Sequence, residues 1–306
     1  MSQATALLGL ITETSLHAGA GSSVGVVDLP IQREGHNGWP CVFGSAVKGA
    51  LRDMAEGLLC SEQTDPKDGK VTRVCPDDFF AVFGPDTGNA SDHAGAIMVG
   101  DARLLLLPVR SLTTAYKWVT CLEALKRLNR DLCRLGLATS LALEIAKPDD
   151  TDAFVAEGNG ALYLEEYRLT QTADPKVAAI VPAIARLMKR DDAEVELTKR
   201  LVLVSDVMFS HLVQAATPVN AHIALDSATK TVTGGALWYE ETLPPETLLY
   251  VPLVAVKARR KESALDAAAV LAKVTGLFAA RPWLQLGGNE TVGMGWCAVS
   301  VLSAEG

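Results

Sequence analysis

The sequence predicts an α+β fold on a ferredoxin-like core. Three observations carry this: strand-like and helix-like stretches alternate, polar insertions interrupt them, and no linker or repeat marks a boundary. The 306 residues are therefore read as a single domain, with insertions at about 61–95 (lid-like) and 217–241 (a hairpin).

The elements follow in order. Residues 4–12 are apolar nearly throughout, as a strand buried on both faces requires. Residues 14–43 are rich in Gly and Ser without periodicity, and connections of that length are usually functional or disordered. A helix then opens at Gly44-Ser45, with Ser45 as its N-cap and Val47, Leu51, Met54 and Leu58 at helical spacing. Residues 97–109 form a second strand region. Residues 118–135 read as one amphipathic helix, with Val119, Leu122, Leu125, Leu128 and Leu132 on its apolar face. Strands are predicted at 161–169 and 201–205, and a helix ending in basic residues at 176–190. Residues 217–241 alternate apolar and polar around Asp226-Ser227-Ala228-Thr229, the pattern of a hairpin. An apolar strand at 247–256, an Ala-rich helix at 263–278 and a strand at 296–302 complete the chain.

Composition narrows the function. Apolar residues make up 49% of the chain, enough for a full core, yet no apolar run nears the roughly 18 residues of a membrane span. With no secretory signal pattern at the N-terminus, a cytoplasmic location is expected. Cys41, Cys60, Cys75, Cys121, Cys133 and Cys297 lack zinc-ligand spacing and are read as buried thiols. The net charge of −8 argues against a free-standing, non-specific nucleic-acid binder. Acidic residues concentrate in 65–92, 149–166 and 191–196, read as outer-face loops, so a local basic strip remains compatible with that charge.

One stretch, Leu16 to Arg52, is the most informative. A small-residue loop, His17-Ala18-Gly19-Ala20-Gly21-Ser22-Ser23, leads to an isolated carboxylate, Asp28, and then to a helix start carrying Lys48 and Arg52 on one face. Backbone N–H groups at a helix start seat a phosphate, and a carboxylate nearby can act on what that phosphate belongs to. Plainer readings exist for each residue. Asp28 can cap a turn before Leu29-Pro30, His17 can be a structural hydrogen-bonder, and Lys48 and Arg52 can be a solvated helix face.

This segment resembles the backbone subunit of type III-B CRISPR–Cas effector complexes (the Cmr complexes), a group within the RAMP superfamily. Thr229-Lys230-Thr231-Val232 followed by Gly235-Ala236-Leu237-Trp238-Tyr239-Glu240-Glu241 resembles that family's projecting hairpin thumb. Gly287-Gly288-Asn289-Glu290-Thr291-Val292-Gly293-Met294-Gly295-Trp296 resembles the superfamily's C-terminal glycine-rich loop. The resemblance implies an RRM-like RAMP core with a lid-type insertion and a thumb.

It also implies roles. Asp28 takes the position of the carboxylate needed to cut target RNA, holding a divalent cation (Mg²⁺ or another) or accepting the 2′-hydroxyl proton. His17 and Glu240 are further catalytic candidates. Ser45, Lys48, Arg52 and Arg33 would contact RNA, as would the loop glycines Gly287, Gly288, Gly293 and Gly295, although a tight turn explains those glycines as well. His222, Ile223 and Lys230 would line the thumb wedge. Residues 218–225 are nearly uncharged, a departure from the basic or bulky thumbs of the family, but unstacking bases needs bulk more than charge. Implied partners are guide RNA (crRNA), target RNA, further copies of the chain stacked head to tail and other CRISPR effector subunits, with no membrane. Two alternatives stand beside cleavage at regular intervals: a non-cleaving structural backbone subunit, and an endoribonuclease that processes guide RNA.

Overall fold

A computed structural model of the chain describes residues 3–23, 25–64, 71–86, 92–137, 141 and 143–304. The N-terminal half runs β1 (Gln3–Thr12), β2 (Cys41–Val42), α1 (Gly44–Leu59), β3 (Ser61–Thr64), β4 (Val71–Val74), α2 (Asp77–Phe83), β5 (Ile97–Val99), β6 (Ala102–Arg110), β7 (Tyr116–Cys121) and α3 (Leu122–Arg134). There follow β8 (Asp152–Val155), β9 (Gly160–Leu164), β10 (Tyr167–Ala173), α4 (Pro175–Ala185), α5 (Ala193–Arg200), β11 (Leu201–Val204) and α6 (Asp206–Ala215). The chain closes with β12 (Val219–Leu225), β13 (Val232–Glu241), β14 (Leu248–Val256), α7 (Ala267–Thr275), α8 (Leu277–Ala280), β15 (Trp283–Gln285) and β16 (Trp296–Ser303).

The α+β expectation holds. One large sheet has the strand order β15-β16-β1-β14-β6-β7-β11-β8-β10-β9, with β2 added to β6 and β5 to β14. β1 lies antiparallel between β14 and β16, so Leu8 faces Val251 on one side and Val301 on the other. Helices cover both faces of the sheet. Leu8 and Leu10 pack with Val47 and Leu51 of α1, Phe209 of α6 and Val270 of α7. Leu7 and Ile11, pointing the other way, pack with Leu125 and Leu128 of α3 and Ile180 of α4. That two-sided burial is why β1 reads as an unbroken apolar run, each leucine contributing about 1.5–3 kcal/mol.

Several elements differ from the sequence reading. Residues 118–121 are strand, because Trp118, Val119 and Thr120 fill an interior position between β6 and β11 where both faces are covered; the helix begins only at Leu122. The 161–169 stretch is a hairpin, β9 and β10, turned at Glu165 with φ of 51°. The 176–190 helix stops at Ala185, and the 263–278 helix starts at Ala267, capped by Asp266. Two of the acidic stretches are more than loops, since 191–196 enters α5 and 149–166 contains β8 and β9. Ser45 is not the N-cap of α1; that position is Phe43, with no side-chain cap bond.

The lid-like insertion at 61–95 contains the β3–β4 hairpin and α2, while 65–70 and 87–91 lie outside the described residues. Here the buried-thiol expectation fails. Cys60 and Cys75 form a disulfide across the hairpin base, and Cys133 is exposed; Cys41, Cys121 and Cys297 are buried thiols as expected. Closing a segment of separation 15 by a disulfide stabilises by about 3 kcal/mol on the chain-entropy model. Reductant should therefore lower the melting temperature of the wild type. A Cys60→Ser variant should melt at the reduced protein's temperature in either buffer.

Candidate functional site

The long connection after β1 is ordered by pairing with the hairpin base. Leu16 and Leu243 exchange backbone hydrogen bonds of 2.9 Å each, and Ala20 N–H donates to Pro30 carbonyl at 2.9 Å, folding the loop back on itself. Leu29 then lies alongside β13 as an extra parallel bridge to Glu240. Its N–H donates to Tyr239 carbonyl at 3.1 Å, and Glu241 N–H donates to Leu29 carbonyl at 3.0 Å. Asp28, one residue earlier, is thereby set against the same strand. Its Oδ2 accepts from Tyr239 N–H at 2.8 Å, a contact across 211 residues of sequence. The carboxylate is not spent on a local turn, and its Oδ1 makes no hydrogen bond or ion pair among the described residues.

Next to Asp28 the base of β13 carries two adjacent buried glutamates, Glu240 at 3% and Glu241 at 6% exposure. Neighbouring strand residues point to opposite faces, so both are buried only because each face is covered. On one face lie His17 and the glycine-rich loop. Glu240 Oε1 accepts from Asn289 Nδ2 at 2.5 Å and lies 3.6 Å from His17 Nδ1. His17 Nδ1 donates to Glu241 carbonyl at 2.8 Å. On the other face, Glu241 accepts from Ile31 N–H at 3.1 Å, Thr217 Oγ1 at 2.8 Å and Arg33 Nη2 at 2.5 Å. Burial pushes the Glu241 carboxyl upward, but the Arg33 guanidinium and the Ile31 and Thr217 donors outweigh it and hold it below the ordinary glutamate value.

The glycine-rich loop serves this packing directly. Gly288 N–H donates to His17 carbonyl at 2.9 Å and Gly295 N–H to Ser15 carbonyl at 2.8 Å. Gly287 has φ of +79°, and a Cβ there would lie 2.3 Å from His17 carbonyl oxygen. Gly293 also has positive φ, +84°, but faces open space. Gly293→Ala should cost the backbone strain alone, about 1–3 kcal/mol. Gly287→Ala should cost distinctly more, since it adds a clash that the His17 backbone cannot yield to; parallel melting curves of the two variants check this.

The predicted RNA contacts divide into two groups. Arg33 is committed to the protein: besides Glu241 it donates to Gly38 and Val213 carbonyls at 2.8 and 3.0 Å. Arg52 is committed as well, to Gly84 and Pro85 carbonyls, Asp86 and Glu56, with its guanidinium over the Phe79 ring. The start of α1 is partly occupied, because Gly44 N–H donates to Asp101 Oδ1 at 2.7 Å and Phe43 N–H to Gln32 Oε1 at 2.7 Å. Ser45 is exposed and Lys48 half-buried, and neither has a bonded partner among the described residues. In the hairpin, β12 and β13 pair as expected and Asp226 caps the turn. His222 stacks on Trp238 across the strands, Ile223 is 50% exposed, and Lys230 sits in the turn with φ of 58°.

Sequence reasoning missed Asn289, Glu241 and the Tyr239 amide. Each lay within a quoted motif. The signals were an Asn following two glycines, a residue that tolerates its φ of 62°, and a Glu-Glu pair on a strand with Gln32-Arg33-Glu34 elsewhere to receive it.

Among the described residues no three His, Cys, Asp or Glu side chains converge as a metal cage. A divalent cation at Asp28 fits only as Mg²⁺ commonly binds, through one carboxylate with phosphate and water oxygens completing its shell. No helix among the described residues is long and apolar enough to cross a membrane.

The comparisons with known proteins place the chain in a family. A model of the RAMP superfamily matches residues 10–298. The CRISPR system Cmr endoribonuclease Cmr4 of Pyrococcus furiosus is 37% identical over 302 residues, covering 96% of this chain and 95% of that one. The CRISPR system CMR subunit Cmr4 of Saccharolobus solfataricus is 24% identical over 306 residues, covering 92% and 91%. The crystal structure of oligomeric Cmr4 from Pyrococcus furiosus superposes with a TM-score of 0.72 at 30% identity, over 99% of both chains. A chain of the type III-B Cmr-beta complex bound to cognate target RNA shares the fold, with a TM-score of 0.68 at 21% identity over 99% and 98%. Since identity extends along nearly the whole chain and the three motifs converge on one hairpin base, the chain belongs to the RAMP superfamily and, within it, to the Cmr4 family.

Proposed function

We propose that this chain is the repeated backbone subunit of a cytoplasmic, RNA-guided type III-B effector complex that cuts complementary target RNA at regular intervals. The observation that carries the reading is the carboxylate of Asp28, fixed to the base strand of a projecting hairpin with one oxygen open. A hairpin with Ile223, Leu225, Val232 and Leu237 exposed can part stacked bases. Splaying one nucleotide frees its 2′-hydroxyl to line up with the next P–O bond, which regular A-form stacking prevents.

In that geometry Asp28 Oδ1 takes the 2′-hydroxyl proton as the 2′-oxygen attacks phosphorus to form a 2′,3′-cyclic phosphate, and the 5′-oxygen leaves with a proton from water. A divalent cation bound there, with RNA oxygens completing its shell, would neutralise charge on the phosphate. His17, Glu240 and Asn289 act at one remove. They lock the hairpin base against the glycine-rich loop and so fix where Asp28 sits. Guide RNA, target RNA, further copies of the chain and other effector subunits are the partners.

The test assembles the complex on a guide RNA and adds end-labelled complementary RNA with Mg²⁺. A ladder of evenly spaced products is expected. Binding without any product would leave a structural backbone subunit; a single cut in the guide itself would indicate a processing enzyme.

A further inference from the structure

The main chain and the side chain of Tyr239 are used differently. Its N–H and carbonyl are both engaged on one edge of β13, by Asp28 Oδ2 at 2.8 Å and Leu29 N–H at 3.1 Å. The side chain has no such use. It is 41% exposed, and neither its ring nor its hydroxyl has a bonded partner among the described residues.

The register of the hairpin explains why this ring is bare. His222 lies opposite Trp238, Ala221 opposite Tyr239 and Ile223 opposite Leu237. Side chains alternate along a strand, so His222 and Trp238 share one face, and Ala221, Ile223, Leu237 and Tyr239 share the other. On the first face the histidine covers the indole, with ring centroids 5.6 Å apart and planes 16° from parallel. On the second, the methyl group of Ala221 is too small to cover a phenol ring. Ile223 and Leu237, at 50% and 53% exposure, continue that face outward, and none of the four residues carries a charge. Phosphate binding draws on cations, which this face does not offer. A bare aromatic ring among apolar side chains suits instead the flat side of a nucleobase.

The ring also stands beside the carboxylate. Asp28 Oδ2 is bonded to the amide of the same residue, so the carboxylate and the ring meet at one point of β13. On a ribose, the 2′-hydroxyl and the base sit on adjacent carbons. A nucleotide that gives its 2′-hydroxyl proton to Asp28 therefore brings its own base within reach of the Tyr239 ring. We infer that Tyr239 is a substrate-positioning residue, whose ring receives the base of the nucleotide splayed at each cut and so holds the 2′-oxygen in line with phosphorus. The inference rests on the cleavage reading above and names the group that holds the displaced base.

The test mixes an excess of the assembled complex with end-labelled complementary RNA and Mg²⁺, so that each band reports cutting and not binding. Tyr239→Ala keeps the amide that Asp28 needs and should melt with the wild type. It should cut about 5- to 150-fold more slowly, the effect of removing one aromatic ring from beneath a base. Tyr239→Leu, which keeps bulk without a flat face, should be as slow, and Tyr239→Phe should restore the cut. The deciding substrate carries an abasic ribose, its 2′-hydroxyl intact, at the nucleotide 5′ to one cut. There the wild-type complex should lose as much as Tyr239→Ala loses on ordinary RNA, and the two changes together should lose no more. Wild-type speed in the Ala or Leu variant, or additive losses in the combination, overturns the inference and leaves the proposed function standing. A Phe variant as slow as Ala overturns it too, since the hydroxyl and not the ring would then act. No cutting by the wild type overturns both readings. Should Tyr239→Ala melt early, the abasic comparison is made with Tyr239→Leu, and the same outcomes decide.

Discussion

Asp28→Ala is expected to leave RNA binding intact and to slow target cleavage about 10²–10⁴-fold, the range for losing a positioned proton acceptor. The Asn variant makes the sharper test. Asp28→Asn keeps an oxygen for Tyr239 N–H and so preserves the docking of residues 28–29 on β13. It removes only the charge and the basicity. Equal loss in the Ala and Asn variants, with a wild-type melting curve for Asn, would show that the carboxylate itself acts. Full activity in Asp28→Asn would rule out both roles given to it, proton acceptor and cation ligand.

Glu241→Ala should be the most destabilising single change at the site, by about 3–5 kcal/mol, because it leaves buried donors unmatched. Three separate segments lose their common acceptor at once: Ile31, Arg33 and Thr217. Glu241→Gln retains the shape and one acceptor oxygen and should cost about 1–3 kcal/mol. Denaturant melts of the two variants against wild type check the order. The same group gives a pH signature. Since its folded-state carboxyl lies below the ordinary glutamate value, its stabilisation is complete above that value and fades as pH falls through the depressed one. Glu241→Gln should flatten that part of the acid-unfolding curve, and a curve identical to wild type would remove Glu241 from the account.

The hairpin was legible because its turn and its alternation are local, and the turn lies at residues 226–229 as the pattern suggested. β1 was legible because two-sided burial leaves an unbroken apolar run. Residues 118–121 were not, since an apolar stretch running into a helix keeps helical spacing while the sheet claims its first turn. Asp28 and the glycine-rich loop stood out by composition and resemblance, but Asp28 reaches β13 across 211 residues and Asn289 of the loop across 49. At Arg33 and Arg52 charge type alone did not show that the guanidinium is engaged within the fold. Nothing in the sequence distinguishes an arginine turned toward a ligand from one whose guanidinium binds carbonyls of its own fold.

The partner of Asp28 is a main-chain amide, not a side chain. Nearly every amino acid supplies that same donor, so position 239 can drift widely while the acidic group stays in place; only proline lacks the proton. On the proposed function, the hairpin strand that would meet nucleic acid is thereby free to change its chemistry. The Asp28 carboxylate inherits its location from the path of the polypeptide, and selection on one need not disturb the other.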